Sequence, residues 1–64
     1  MKPLPVEVFF QMDPKKAWVL AQLLKRLDWA KIRANAETDD EAICMKEAIG
    51  ELQKALSNVG FSPR

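Results

Sequence analysis

The stretch TDDEAICMKEAIGELQKALSNVGF, residues 38–61, contains a helix start, an apolar stripe and a helix stop in that order. Thr38 and Glu41 have the spacing of a capping box, in which each side chain accepts a hydrogen bond from the other residue's backbone N–H. Gly60 has the position of a glycine that ends a helix. The stretch therefore predicts a helix over residues 39–59. Its apolar stripe, spaced by alternating steps of three and four, consists of Ala42, Met45, Ile49, Leu52, Leu56 and Val59.

Two small residues lie within this predicted helix. Gly50 falls mid-helix, where it costs about 1 kcal/mol relative to Ala, and the expected reason is the close approach of another backbone. Cys44 is the single cysteine, and the chain contains no histidine that could activate its thiol. We therefore interpret Cys44 as a small packed residue. A lone thiol indicates a reducing compartment, and the expected location is cytoplasmic.

A further helix is predicted on the N-terminal side. Asp13 followed by Pro14 forms a strong helix start, because Asp caps a helix N-terminus and Pro fits the first helical position. The run that follows is rich in Ala, Leu, Lys and Arg and predicts a helix over residues 14–35. Its apolar arc is broader than one neighbouring helix covers, so a second contact surface is expected. The short connection makes the two helices antiparallel neighbours.

Residues 4–12 alternate with a period of two, which predicts a strand. This strand has no partner of strand length within the chain, and we expect it to pair with the same strand of a second copy across a homodimer. The apolar residues of this dimer ribbon are Val6, Val8, Phe10 and Met12.

The predicted fold is α+β and mostly α, with one N-terminal strand before an antiparallel two-helix hairpin (βαα). It forms a single domain over residues 1–64 that ends in a tail over residues 60–64.

Length and composition limit the possible functions. A chain of 64 residues is one domain at most, and a domain of this size buries only about 60% of its unfolded surface, so self-association is expected. The chain lacks His and Tyr and shows no metal-ligand spacing, which argues against catalysis, a metal, a cofactor or a small-molecule substrate. No apolar run approaches the roughly 18 residues of a membrane span.

Charge is distributed unevenly along the chain, although the net charge is only +1. Residues 1–33 carry seven Lys or Arg against three Asp or Glu, and residues 34–64 carry three against six. Two antiparallel helices that pair their charges explain this division, and a face that meets a charged partner is the alternative. The acidic residues at 37–41 are favourable at a helix N-terminus for structural reasons.

The most informative candidates for binding are two tryptophans. Trp18 and Trp29 are eleven positions apart, about three helical turns, and would share one face of a continuous helix. Trp is enriched at binding hot spots, whereas the alternative role of both side chains is to fill the core of a small dimer. The sequence favours a non-enzymatic accessory protein that binds a protein partner as a homodimer. The predicted partner-binding residues are Trp18, Lys25, Arg26, Trp29, Arg33 and Arg64.

Two alternatives involve nucleic acid or its recognition. The order strand, helix, helix resembles the ribbon-helix-helix proteins, whose two-stranded ribbon enters the major groove of DNA. That resemblance implies a DNA-binding transcriptional regulator whose DNA-facing residues are Glu7, Phe9 and Gln11. The other alternative is a DNA mimic that inhibits a restriction or CRISPR enzyme. Its acidic strip would consist of Glu37, Asp39, Asp40, Glu41, Glu47 and Glu51.

Three segments carry a family resemblance: AQLLKR at residues 21–26, DDEA at residues 39–42 with Met45, and residues 52–56 leading to GFSPR at residues 60–64. Through these segments, residues 17–64 resemble a family of small uncharacterised bacterial proteins found in proteobacteria and their mobile elements. The resemblance implies a phage- or plasmid-associated protein. It transfers no catalytic residue, because no activity is attached to that family.

Overall fold

A computed structural model of the chain describes residues 4–62, and within this range the chain forms three helices. Helix α1 spans Pro14–Arg26, helix α2 spans Trp29–Ala34 and helix α3 spans Asp39–Asn58. Helix α3 packs against both α1 and α2. The protein is therefore mostly helical, and α3 is the element that holds the other two helices together.

The predicted strand over residues 4–12 is absent, so the α+β prediction was wrong for the part of the chain that the structure describes. We call residues 4–12 the arm. No hydrogen bond joins the backbone of the arm to the backbone of any other described residue. Alternating Val and Phe stabilise a strand only through a neighbouring strand, and the described chain supplies none. The expected dimer ribbon of Val6, Val8, Phe10 and Met12 loses its structural basis for the same reason.

The helix predicted over residues 14–35 is interrupted at Leu27 and Asp28, both of which have extended backbone. Asp28 caps α2, since its Oδ1 accepts a hydrogen bond of 2.9 Å from the Lys31 N–H. The Lys31 side chain donates to the carbonyl oxygen of Arg26 at 3.2 Å and so satisfies one of the free carbonyls at the end of α1. The prediction of one continuous helix was wrong because Asp28 acts as a cap within a run of helix formers.

Helix α3 is capped at both ends by its own sequence. The Thr38 hydroxyl accepts from the Glu41 N–H at 3.1 Å, as predicted, whereas the Glu41 carboxylate accepts from the Glu37 N–H at 3.1 Å and not from Thr38. At the other end the Gly60 N–H donates to the Ser57 carbonyl at 3.0 Å and the Phe61 N–H donates to the Leu56 carbonyl at 2.9 Å. Gly60 has a φ of 98°, so the pair forms the predicted glycine-dependent cap.

The buried core is small and is rich in alanine. Ala17, Ala21 and Leu24 of α1 pack with Leu56 of α3. Ile32 of α2 and Ala42 of α3 are also buried, and α2 packs against α3. Partly buried apolar side chains surround the first cluster, namely Leu20, Leu27, Ile49, Leu52 and Phe61. Because small side chains make up half of the six buried residues, the three helices bury little apolar surface between them.

The molecule is flat, with extents of 33 × 30 × 16 Å. The radius of gyration of 13.1 Å exceeds the value of about 11 Å for a compact chain of this length. The accessible surface is 5761 Å², against about 4,200 Å² for a compact monomer of this mass. The single chain is therefore flatter and more exposed than a compact monomer.

Gly50 does not approach another backbone, contrary to the expectation from sequence. A Cβ atom built at Gly50 meets nothing within 4 Å in the described structure. Gly60, in contrast, has a positive φ that side chains rarely adopt, although the space around it is also open.

We predict that Gly50→Ala raises the free energy of unfolding by about 1 kcal/mol, because Ala reduces the backbone freedom of the unfolded chain and meets no clash. Urea titration followed by circular dichroism at 222 nm measures this change. Gly60→Ala is the matched control and lowers stability, because Ala is strained at the φ of this cap. Equal effects of the two substitutions would contradict the structure.

Candidate functional site

An apolar groove of about 800 Å³ lies between the arm and the helices α1 and α3. Thirteen of the fourteen residues that line it are apolar, and Glu51 is the exception. The arm contributes Val6, Val8, Phe9, Phe10 and Met12. Helix α3 and the residues that follow it contribute Ala48, Leu52, Ala55, Leu56, Val59 and Phe61. A groove of this composition binds an apolar surface, and its lining provides no set of polar groups for a small polar ligand.

The arm forms one wall of the groove but does not fill it. Val6 is 84% exposed and Phe9 is 82% exposed, so the arm leaves most of its apolar surface in contact with water. On the opposite wall Val59 is 70% exposed. Contiguous apolar surface of this kind is unusual on a monomer.

The α3 wall follows from helical spacing. Ala48, Leu52, Ala55 and Val59 are separated by steps of four, three and four, which places them on one side of α3. Leu52 and Val59 of this row belong to the predicted apolar stripe, and Ala48 and Ala55 lie beside it. The sequence pattern predicted the stripe and the alternating segment of residues 4–12 separately. It missed the groove, because only the folded chain shows that the arm runs alongside this face of α3.

The two tryptophans occupy different parts of the molecule, because the break after α1 separates them. The Trp18 ring lies 6.2 Å from the Phe61 ring, centroid to centroid, with the planes tilted by 55°. Trp29 instead lies beside Ile43, Lys46 and Glu47 in the first half of α3. The expectation that both tryptophans share one face of a continuous helix was wrong. Trp18 contacts Phe61 at the α3 cap and Trp29 lies beside the first half of α3, and the two side chains are exposed to a similar extent, 42% and 45%.

The predicted basic contacts do not form one cluster. Lys25 and Arg26 are exposed in the last turn of α1. The Arg33 guanidinium donates from Nε to Asp39 Oδ1 at 2.6 Å and from Nη1 to the Ala36 carbonyl at 2.9 Å. It therefore joins α2 to the start of α3 across the turn. The remaining predicted residue, Arg64, lies outside the described residues.

The structure also describes the residues on which the two nucleic-acid alternatives depend. Glu7, Phe9 and Gln11 are exposed on the arm, and residues 4–62 form no ribbon that could present them, so the ribbon-helix-helix interpretation loses its fold. In the acidic segment 37–41, Asp39 pairs with Arg33 and Glu41 takes part in the α3 cap. These two contacts give members of the segment structural roles.

Three further features of the described residues concern the cysteine, metal-binding side chains and membrane-spanning helices. Cys44 is exposed, so its interpretation as a packed residue was wrong. No group of three or more His, Cys, Asp or Glu side chains is arranged to hold a metal ion within residues 4–62. None of the helices in that range combines the length and apolar character that a bilayer crossing requires.

Comparison with known proteins gives a family without a known activity. The model of a family of unknown function, DUF7706, matches residues 1–64. No curated protein and no solved structure matches the chain. The resemblance to an uncharacterised family therefore extends beyond residues 17–64 to the N-terminal residues, and the match itself carries no information about the organism of origin.

We predict that Arg33→Ala lowers the free energy of unfolding by about 1 kcal/mol. The substitution removes the ion pair with Asp39 and the hydrogen bond to the Ala36 carbonyl, and the partial exposure of Arg33 keeps the effect modest. Arg26→Ala is the control, because the Arg26 side chain is exposed and makes no hydrogen bond to another described residue. We expect its stability to stay within about 0.5 kcal/mol of the wild type. Urea denaturation of both variants measures the difference, and equal losses would contradict the structural role of Arg33.

Proposed function

We propose that this chain, which belongs to the family of unknown function DUF7706, is a small non-enzymatic protein that acts as a homodimer by binding another protein. The observation that supports the homodimer is the apolar groove with its exposed walls. A second copy that packs on this face covers apolar surface that the flat protomer exposes.

The amount of exposed surface agrees with a permanent dimer. The chain exposes 5761 Å², which is about 1,600 Å² more than a compact monomer of its mass. Burial of that excess on each of two copies would hide about 3,200 Å² in total, within the range of roughly 2,000–5,000 Å² of obligate homodimers. Transient complexes of standard size bury about half of that area.

The lining of the groove favours a protein over a nucleic acid. A nucleic-acid surface needs Lys and Arg to neutralise phosphates, whereas the single charged residue that lines the groove is Glu51. The net charge of +1 adds little attraction for DNA.

A separate surface remains for the other protein after the groove is covered. Ile43 precedes Leu52 by nine positions, two and a half helical turns, which places it on the opposite side of α3 from the groove. Ile43 and Trp29 are about half exposed there, with Lys46 and Glu47 beside them. An exposed Trp with a charged rim has the composition of a binding hot spot. We assign the contact with the other protein to this patch.

The cellular setting is part of the proposal and depends on the sequence alone. A lone, exposed Cys44 suits the reducing cytoplasm, where such a thiol is not driven into disulfides. A phage or plasmid origin depends on the resemblance of residues 17–64 to small proteins of mobile elements.

We predict that light scattering over a range of concentrations gives the wild-type protein twice the chain mass of 7.3 kDa, and that Val59→Asp gives the single-chain mass. An aspartate at this position places a charge in the buried interface without a partner, which is strongly unfavourable. Circular dichroism shows whether the variant keeps its helices.

Val19→Asp is the matched control. Val19 is an exposed valine of α1 that does not line the groove, with 55% of its surface accessible. We expect this variant to stay dimeric. A wild-type protein with the single-chain mass at every concentration would overturn the homodimer, and a monomeric Val19→Asp would show that the groove is not the specific interface.

A further inference from the structure

We infer that in the homodimer each arm crosses to the other copy and packs on its α3 wall, so that each groove has walls from both chains. This inference depends on the proposed homodimer and adds to it the residues that fill the interface. It rests on the apolar surface of the arm, on its free backbone and on its length.

The apolar side of the arm is not used within its own chain. Val6, Val8, Phe10 and Met12 line the groove, yet the space of about 800 Å³ between them and α3 stays open. Of the residues that alternate with them, Phe9 also lines the groove, whereas Glu7 and Gln11 do not. The arm is therefore apolar except at Glu7 and Gln11, which suits a segment that lies against an apolar surface.

The backbone of the arm is free to take another position. Within the described residues, no backbone hydrogen bond joins residues 4–12 to the rest of the chain. The backbone hydrogen bonds begin after the arm, where the Ala17 N–H donates to the Asp13 carbonyl at the start of α1. The arm is thus held to its own protomer by its covalent connection at Asp13 and Pro14 and by contacts of exposed side chains. Movement of such a terminal segment to a second copy breaks few interactions.

The length of the arm matches the groove of a neighbour. Nine extended residues span about 30 Å, close to the 33 Å long dimension of the protomer. The α3 wall from Ala48 to Val59 is about 17 Å long. One arm therefore covers the whole wall and still has residues left to cross between the two copies.

Two-fold symmetry favours exchange between two copies. Each copy offers one arm and one α3 wall, so a two-fold arrangement pairs each arm with the α3 wall of the other copy and leaves neither unpaired. The two arms cross in opposite directions, next to the apolar surface that each chain alone exposes.

Cross-linking of single cysteines tests the exchange. In a Cys44→Ser background, one protein carries Val8→Cys on the arm and a second carries Ala55→Cys on the α3 wall. Each chain then has one thiol, so a short bifunctional thiol cross-linker can join different chains only. We expect the equimolar mixture to give a covalent pair of unlike chains at a yield about tenfold above a control, because held thiols have millimolar effective concentrations.

Ser57→Cys in place of Ala55→Cys is the matched control. Ser57 lies on α3 two positions further along, outside the groove lining, and faces away from it. We expect its mixture with Val8→Cys to give only the yield of chance encounters. Equal yields with Ala55→Cys and Ser57→Cys would overturn the arm exchange.

A single chain that carries both Val8→Cys and Ala55→Cys distinguishes a failure of the arm exchange from a failure of the homodimer. If this variant has the dimer mass by light scattering and is cross-linked within one chain, each arm stays on its own groove; the exchange is then overturned while the homodimer stands. If the wild-type protein is monomeric, the homodimer and the exchange are both overturned. Covalent rings of two chains are the result expected from exchange.

Discussion

The close contact of α1 with α3 through alanine is the constraint on which the rest of the structure depends. Ala17 and Ala21 are nearly fully buried against the α3 side that carries Leu56. Small side chains let two helices approach closely, but they bury little apolar area per residue. The chain therefore gains a defined helix pair and a thin core, and most of its larger apolar side chains remain on the outside.

The elements predicted correctly are those that local contacts determine. The caps of α3 depend on Thr38, Glu41 and Gly60, all within a few residues of their hydrogen-bond partners, so their spacing in the sequence was sufficient evidence. The break at Asp28 is local as well. It was missed because one capping bond competed with a strong helix-forming context, and the two effects are of similar size, about 1 kcal/mol.

The arm and the groove could not be predicted from local patterns. A strand is stable only when another strand pairs with it, and alternation within residues 4–12 does not show whether that partner exists. The predicted binding residues were chosen by residue type, and the structure places those it describes in different parts of the molecule. Arg33 joins α2 to α3, Trp18 contacts Phe61 and Trp29 lies beside Ile43. The groove residues Ala48 and Ala55 have no distinctive side-chain chemistry. Their part in the groove is therefore visible only from their position in the folded chain.

Ala17, Leu52, Leu56 and Phe61 belong both to the core cluster with its surrounding side chains and to the lining of the groove. The same side chains thus form the floor of the groove and part of the core. Any molecule that occupies the groove binds the folded chain and not the unfolded one, so by mass action it adds RT ln(1 + [L]/Kd) to the folding free energy. For an occupant that is a second copy, the melting temperature depends on the protein concentration. The amount of protein present then controls both its folding and its assembly.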